Sequence, residues 1–121
     1  QLDIPEKPVY VQMNPQLFSW TIENLVKNGI DAMKGKGKIT ISIEQNSKYA
    51  LVHIADTGKG LTKSEFRRIF TPGYTTKKRG WGLGLSLAKR IIEEYHNGKI
   101  RVLKSAPNQG TTMEIALKTE S

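Results

Sequence analysis

The sequence predicts a two-layer α/β (α+β) sandwich: a mixed, mostly antiparallel sheet of about five strands with three helices on one face. Three observations predict it. Residues 15–33 carry apolar side chains at helical spacing behind an Asn14-Pro15 start. Segments 39–44 and 111–117 alternate apolar and polar residues, and the more apolar 50–55 and 99–104 complete a strand set bounded by turn residues. Two glycine-rich stretches, Asp56-Thr57-Gly58-Lys59-Gly60 and Gly80-Trp81-Gly82-Leu83-Gly84-Leu85, flank a basic, threonine-bearing segment at 75–79.

The 121 residues fit one domain, with 1–8 as a linker and 9–121 as the folded unit. A hydrophobic content of 37% against 25% charged residues reads as globular rather than disordered. The absence of cysteine excludes disulfides and thiolate metal sites and leaves the redox compartment undecided. His53 and His96 lie too far apart to suggest zinc, and no apolar run approaches the ~20 residues of a membrane span. A first residue of Gln rather than Met is read as the start of a fragment. The net charge of +8 invites a polyanion. Aromatic residues amount to 7% and do not interleave with the Lys/Arg clusters, so nucleic acid is set at roughly one in ten and is not taken as the partner.

In chain order, Pro5 and Pro8 mark an extended lead-in, and Val9–Gln12 suits a short strand. The helix from about 15 to 33 places Leu17, Ile22, Leu25, Val26 and Ile30 at apolar positions. Asn24, Asn28 and Asp31 follow at i, i+4 and i+7, a polar stripe that is either solvated or the wall of a cleft. Gly29 beside it admits a close neighbour at about 1 kcal/mol relative to Ala. Glu23 lies about 100° from Asn24 and is placed for an ion pair with Lys27. Met33–Lys38 reads as a turn with glycine as the helix stop. Asn46-Ser47 joins the next two strands, in the second of which His53 reads as packed or surface-facing. Thr62 with Glu65 forms a capping-box start for a short helix through Phe66, Ile69 and Phe70. Thr71–Gly80 reads as a mobile loop, and Leu83, Leu85, Leu87, Ala88, Ile91 and Ile92 make a helix to about Tyr95 that ends at Asn97-Gly98. Ala106–Gly110 is the last turn.

Asp56 stands where a strand meets a glycine turn. An ionised carboxylate only accepts hydrogen bonds, which suits an exocyclic amine such as that of adenine. Gly58 and Gly60 clear space for a flat ring. Gly80–Gly84 precedes a helix but follows no strand, which disfavours a dinucleotide fold, and there is no GxxxxGK[ST].

The ordered set resembles the ATP-binding catalytic domain of sensor histidine kinases, within the GHKL group of gyrase, the Hsp90 chaperone and MutL. The likeness covers about residues 9–117. Glu23–Ala32 is similar to the N box, Asp56–Leu61 to the G1 box, Phe66–Phe70 running into Thr75-Thr76-Lys77 to the F box and lid, Gly80–Leu85 to the G2 box, and Gly110-Thr111-Thr112 to the closing GTT.

The resemblance implies a Bergerat fold that binds ATP with Mg²⁺ and transfers the γ-phosphoryl group to a histidine on a separate dimerisation domain. It implies that Asn28 coordinates Mg²⁺ and that Asn24 helps hold phosphates or the metal's waters, with Asp31 on the same wall and Glu23 as a neighbouring carboxylate. Asp56 would bind the adenine amine with Thr112 nearby. Gly58, Gly60, Leu61 and Phe70 would border the nucleotide. Thr75, Thr76, Lys77, Lys78, Arg79, Gly80, Gly82, Leu83, Gly84 and Leu85 would form the lid and phosphate contacts. Trp81 departs from the family's small residue and Gly29 from its usual Ala. Asn24 stands where gyrase-like ATPases carry a general base, which favours transfer over hydrolysis. His96, in His96-Asn97-Gly98, reads as structural. The implied partners are the protein's own histidine phosphotransfer domain and a response-regulator receiver domain. The domain itself would be cytoplasmic without membrane contact, its parent anchored in the cell membrane. The alternatives are a serine kinase of the anti-sigma-factor type and a nucleotide-gated binding module.

Overall fold

The computed structural model describes residues 2–3, 13–34, 36–72 and 84–119. The strand expected at Val9–Gln12 lies outside the described residues. The elements are β1 (Leu2–Asp3), α1 (Pro15–Ala32), β2 (Ile39–Gln45), β3 (Tyr49–Asp56), α2 (Glu65–Arg68), α3 (Gly84–Arg90), β4 (Lys99–Ser105) and β5 (Thr111–Lys118). The sheet runs β1-β2-β3-β5-β4. Its four full strands are antiparallel. The fifth member is only the two-residue β1, inside the expected lead-in, which pairs parallel with β2 at Leu2–Ile41 and Asp3–Ser42. The helices cover one face, as a two-layer α/β sandwich requires.

Alternation sorts the strands. Ala50, Val52 and Ile54 on β3, Ile100 and Val102 on β4, and Met113, Ile115 and Leu117 on β5 are buried towards the helices. Leu25, Ile69, Phe70, Ala88 and Ile92 close the core from the helical side.

Helix α1 begins as its sequence dictates, with the Asn14 side chain accepting the Leu17 N–H at 3.1 Å. Its buried line is Thr21, Leu25 and Gly29, four residues apart. Thr21 is fully buried because its hydroxyl donates to the Leu17 carbonyl at 2.9 Å. Ile30, expected among the apolar positions, is 45% exposed, since it lies about 140° around the helix from Leu25. The chain leaves the helix through Lys34, which takes φ of 54°; Gly35, expected as the stop, lies outside the described residues. Among the described residues no ion pair joins Glu23 to Lys27, whereas an i,i+4 pair forms at Arg90–Glu94, 2.8 Å apart.

After Arg90 the third helix widens into a π-helical turn, Ile91–Tyr95. His96 and Gly98 account for it. His96 Nδ1 donates to the Ile91 carbonyl at 2.9 Å, and the Gly98 N–H to the Ile92 carbonyl at 2.8 Å, with Asn97 left-handed at φ 54°. The other ring nitrogen, Nε2, accepts the Asn14 N–H at 2.9 Å. His96 therefore ties the end of α3 to the start of α1, the structural role its position suggests. His96→Ala removes both bonds and is expected to cost about 1–2 kcal/mol, read as a lower urea midpoint.

On the sheet's other face, Glu114 of β5 is bracketed by His53 of β3 at 2.8 Å and Arg101 of β4 at 2.9 Å. His53 is thus packed in an ion cluster. Burial pushes the Glu114 carboxyl up, but the hydrogen bonds from His53 and Arg101 and their charges outweigh it and hold the group below its usual 4.5. The stability this supplies is present above about 4.5 and is lost as pH falls through the lower folded-state value. Glu114→Gln should therefore flatten the acid limb of a denaturation-versus-pH curve while changing little between wild-type and variant slopes near neutrality.

Candidate functional site

The site lies where α1 crosses the end of β3 and the start of β2, with Thr111 of β5 beside Asp56. Asp56 is the last residue of β3, and its Oδ1 accepts the Gly58 N–H at 2.8 Å and the Thr111 N–H at 3.3 Å. Oδ2 has no protein donor among the described residues. Burial pushes the Asp56 carboxyl above its usual 3.8, with the two backbone bonds pulling the other way. The result is a half-desolvated carboxylate with one oxygen fixed and the other offered to a donor.

The glycine turn after Asp56 is locked to the β4–β5 turn. Gly110 N–H reaches the Gly58 carbonyl at 3.1 Å and Asn108 N–H the Lys59 carbonyl at 2.7 Å. Gly60 and Gly110 hold φ of 73° and 78° to allow this. The helix joins in: Lys59 N–H donates to the Ala32 carbonyl at 3.1 Å. Ser105, which the sequence reading did not single out, completes the lock by accepting the Leu61 N–H at 2.7 Å and donating to the Gly110 carbonyl at 2.8 Å.

Register corrects one site residue. Asp56 pairs with Thr111, and Thr112 pairs with Ala55. Successive strand residues face opposite sides, so Thr111, not Thr112, stands beside Asp56. The alternation of Met113, Ile115 and Leu117 extended two residues back would have found it.

The other end of the site is polar and tight. Asn24 Nδ2 is buried and has no hydrogen-bond partner among the described residues. It sits against the first residue of α3: a side chain at Gly84 would meet the Asn24 amide at 2.8 Å. An unsatisfied buried donor beside the start of a helix marks a place shaped for an anion. Between the two ends, Asn28 is half-buried and Asp31 exposed on the same α1 stripe, with Glu23 exposed to one side. Five residues separate the Gly84 contact at Asn24 from the Asp56 contact at Gly29, about 7.5 Å along the helix.

Among the remaining expected contacts, Gly58 packs on Ala32, Gly60 on Ala106, and Leu61, Phe70 and Leu85 belong to the core or pack against it. Thr75, Thr76, Lys77, Lys78, Arg79, Gly80, Gly82 and Leu83 lie outside the described residues. No three or more of His, Cys, Asp and Glu converge as a metal cage among the described residues. The oxygens of Asn28 and Asp31 suit Mg²⁺, which takes few protein ligands and keeps waters and phosphates.

Residues 13–121 match the family model described as histidine kinase-, DNA gyrase B-, and HSP90-like ATPase. Sporulation kinase E of Bacillus subtilis (strain 168) is 38% identical over 95% of this chain. Sensor histidine kinase ZraS of Escherichia coli (strain K12) is 33% identical over 88% of it. The catalytic domain of histidine kinase ThkA superposes with a TM-score of 0.85 at 30% identity, covering 97% of this chain and 77% of that one. The chain spans only 15% of the length of the first of these relatives and 23% of the second. The fold, the anchored Asp56 and the Asn24–Gly84 contact occur together with these likenesses, and the chain belongs to the histidine kinase-, DNA gyrase B- and HSP90-like ATPase family.

Proposed function

We propose that this chain is the catalytic domain of a sensor histidine kinase: it binds ATP with Mg²⁺ and passes the γ-phosphoryl group to a histidine on a separate dimerisation domain of the same protein. The observation that carries the reading is the orphaned Asn24 donor against Gly84, at the opposite end of the α1 wall from Asp56. Asp56 Oδ2 accepts the adenine amine, and its Oδ1 stays clamped by Gly58 and Thr111. Asn24 supplies a hydrogen bond to phosphate oxygens, and the start of α3 presents backbone N–H groups to the same charge. Asn28, with Asp31 behind it, holds the metal. Bound there with ATP, Mg²⁺ would supply charge neutralisation for the transfer. Asn24 is a poor general base, and that supports transfer to a protein nucleophile over hydrolysis.

Residues 1–8 serve in this reading as the linker to the dimerisation domain and 9–121 as the catalytic unit, with a response-regulator receiver domain as the downstream partner. The ThkA relative has been solved in complex with the response regulator protein TrrA. No helix among the described residues is long and apolar enough to cross a membrane. A cytoplasmic domain of a membrane-anchored parent accommodates this.

The test separates the two ends of the site. Asn24→Asp keeps the shape and replaces the donor with a charged acceptor. It should weaken ATP by about tenfold to a hundredfold, the loss expected for a charge-assisted hydrogen bond of about 1.5–3 kcal/mol, and leave adenosine unchanged. Equal weakening of both ligands would remove Asn24 from the phosphate end. Supplying the histidine-bearing domain in trans with γ-labelled ATP should yield acid-labile phosphoprotein; acid-stable label would point to a serine kinase instead.

A further inference from the structure

Gly29 is buried in the last turn of α1, where glycine still costs up to about 1 kcal/mol relative to alanine. Its surroundings explain it. A β-carbon there would lie 2.7 Å from Ile39 Cδ1, 3.3 Å from Asp56 Cβ and 3.4 Å from Asp56 Oδ2. Ile39 and Asp56 are direct cross-strand partners on β2 and β3, so they share a face of the sheet. The helix therefore descends on both residues at the one position without a side chain. The δ-methyl of Ile39 occupies the volume that a side chain at 29 would need.

The torsion about an aspartate's Cβ–Cγ bond is broad, so the carboxylate plane must be held from outside. Oδ1 is held by two N–H groups. The other side is bounded by α1 at Gly29, against which the Ile39 methyl also lies. We propose that Gly29 and Ile39 form a positioning pair that fixes the plane of the Asp56 carboxylate, and with it the discrimination between 6-amino and 6-oxo purines. This rests on the reading of Asp56 given above. A methyl added at 29 drives Ile39 aside and presses on Asp56. Moving one methyl from residue 39 to residue 29 conserves volume and is tolerated.

The experiment measures binding of ATP and of ITP, its 6-oxo counterpart, to the 121-residue chain, with thermal melting alongside. Gly29→Ala should lower the ATP/ITP affinity ratio by about tenfold, or about 1.4 kcal/mol, without lowering the melting temperature. Gly29→Ala with Ile39→Val should restore the ratio to within about twofold. Ile39→Val alone should lower it by about threefold and keeps the pair testable if Gly29→Ala does not fold. A ratio unmoved by Gly29→Ala, while Asp56→Asn collapses it, overturns the positioning role. A ratio that stays low in the double variant overturns the part played by Ile39. A wild type that binds neither nucleotide, or a ratio that Asp56→Asn leaves intact, overturns the reading of Asp56 and the pair's role with it.

Discussion

Asp56→Asn should weaken adenine-nucleotide binding by about 10³-fold while leaving the fold at least as stable as wild type. The amide oxygen can take the place of Oδ1 and still accept the Gly58 and Thr111 N–H groups, now at 2.8 and 3.3 Å. The amide nitrogen then replaces Oδ2, so a donor meets the donor of the adenine amine. A buried donor left without an acceptor costs about 1–3 kcal/mol on top of the lost charge-assisted bond. Together these predict a weakening of about 10³-fold, read by calorimetric titration. The stability side follows from the raised pKa. A carboxyl whose folded-state value lies above its ordinary 3.8 costs stability when ionised. That cost is full above the folded value and disappears as pH falls below 3.8. Asparagine removes it, so the variant should match or exceed wild type in a neutral-pH melt. A variant that unfolds would mean that Asp56 is structural.

Gly60→Ala should be the most destabilising single change in the site. A β-carbon at 60 would collide with the Ala106 carbonyl oxygen, and the residue holds φ of 73°. The obstacle is backbone in a turn fixed by the Asn108–Lys59 and Gly110–Gly58 hydrogen bonds, so no side-chain rotation relieves it. Left-handed backbone costs a non-glycine residue roughly 1–2 kcal/mol, and parting the two turns brings the loss to about 3 kcal/mol or more. A chemical denaturation curve would show it, and a shift under about 1 kcal/mol would mean that the two turns separate easily. The two variants pull apart binding and stability. Asp56→Asn weakens binding and spares the fold, whereas Gly60→Ala weakens the fold and takes binding with it.

Much of the fold was legible because its signals are local. The Asn14-Pro15 start, the alternation in β2, β3, β4 and β5, and the Asn97-Gly98 stop each follow from neighbours a few residues away. The candidate site was legible at Asp56, Asn24 and Gly84 as residue types for the same reason: type and spacing name an acceptor, an amide stripe and a helix start, while their roles stay part of the proposal. Where a single helix turn decides exposure, periodicity failed. Ile30 reads as apolar stripe and is exposed, because Thr21 and Gly29 hold the buried line instead.

The sequence by itself determined the two-layer architecture, the family and the chemical types that face the cleft. Only the tertiary structure decided which atoms meet. Strand register chose Thr111 over Thr112, since pairing depends on how β3 and β5 slide past each other. Ser105 became part of the site because Leu61, 44 residues away in sequence, and Gly110 converge on its hydroxyl. Gly29 acquired its meaning from Ile39 and Asp56, which the fold brings against α1. Local periodicity records which way a side chain points; contacts between distant segments arise from packing, and no stretch of chain carries them alone.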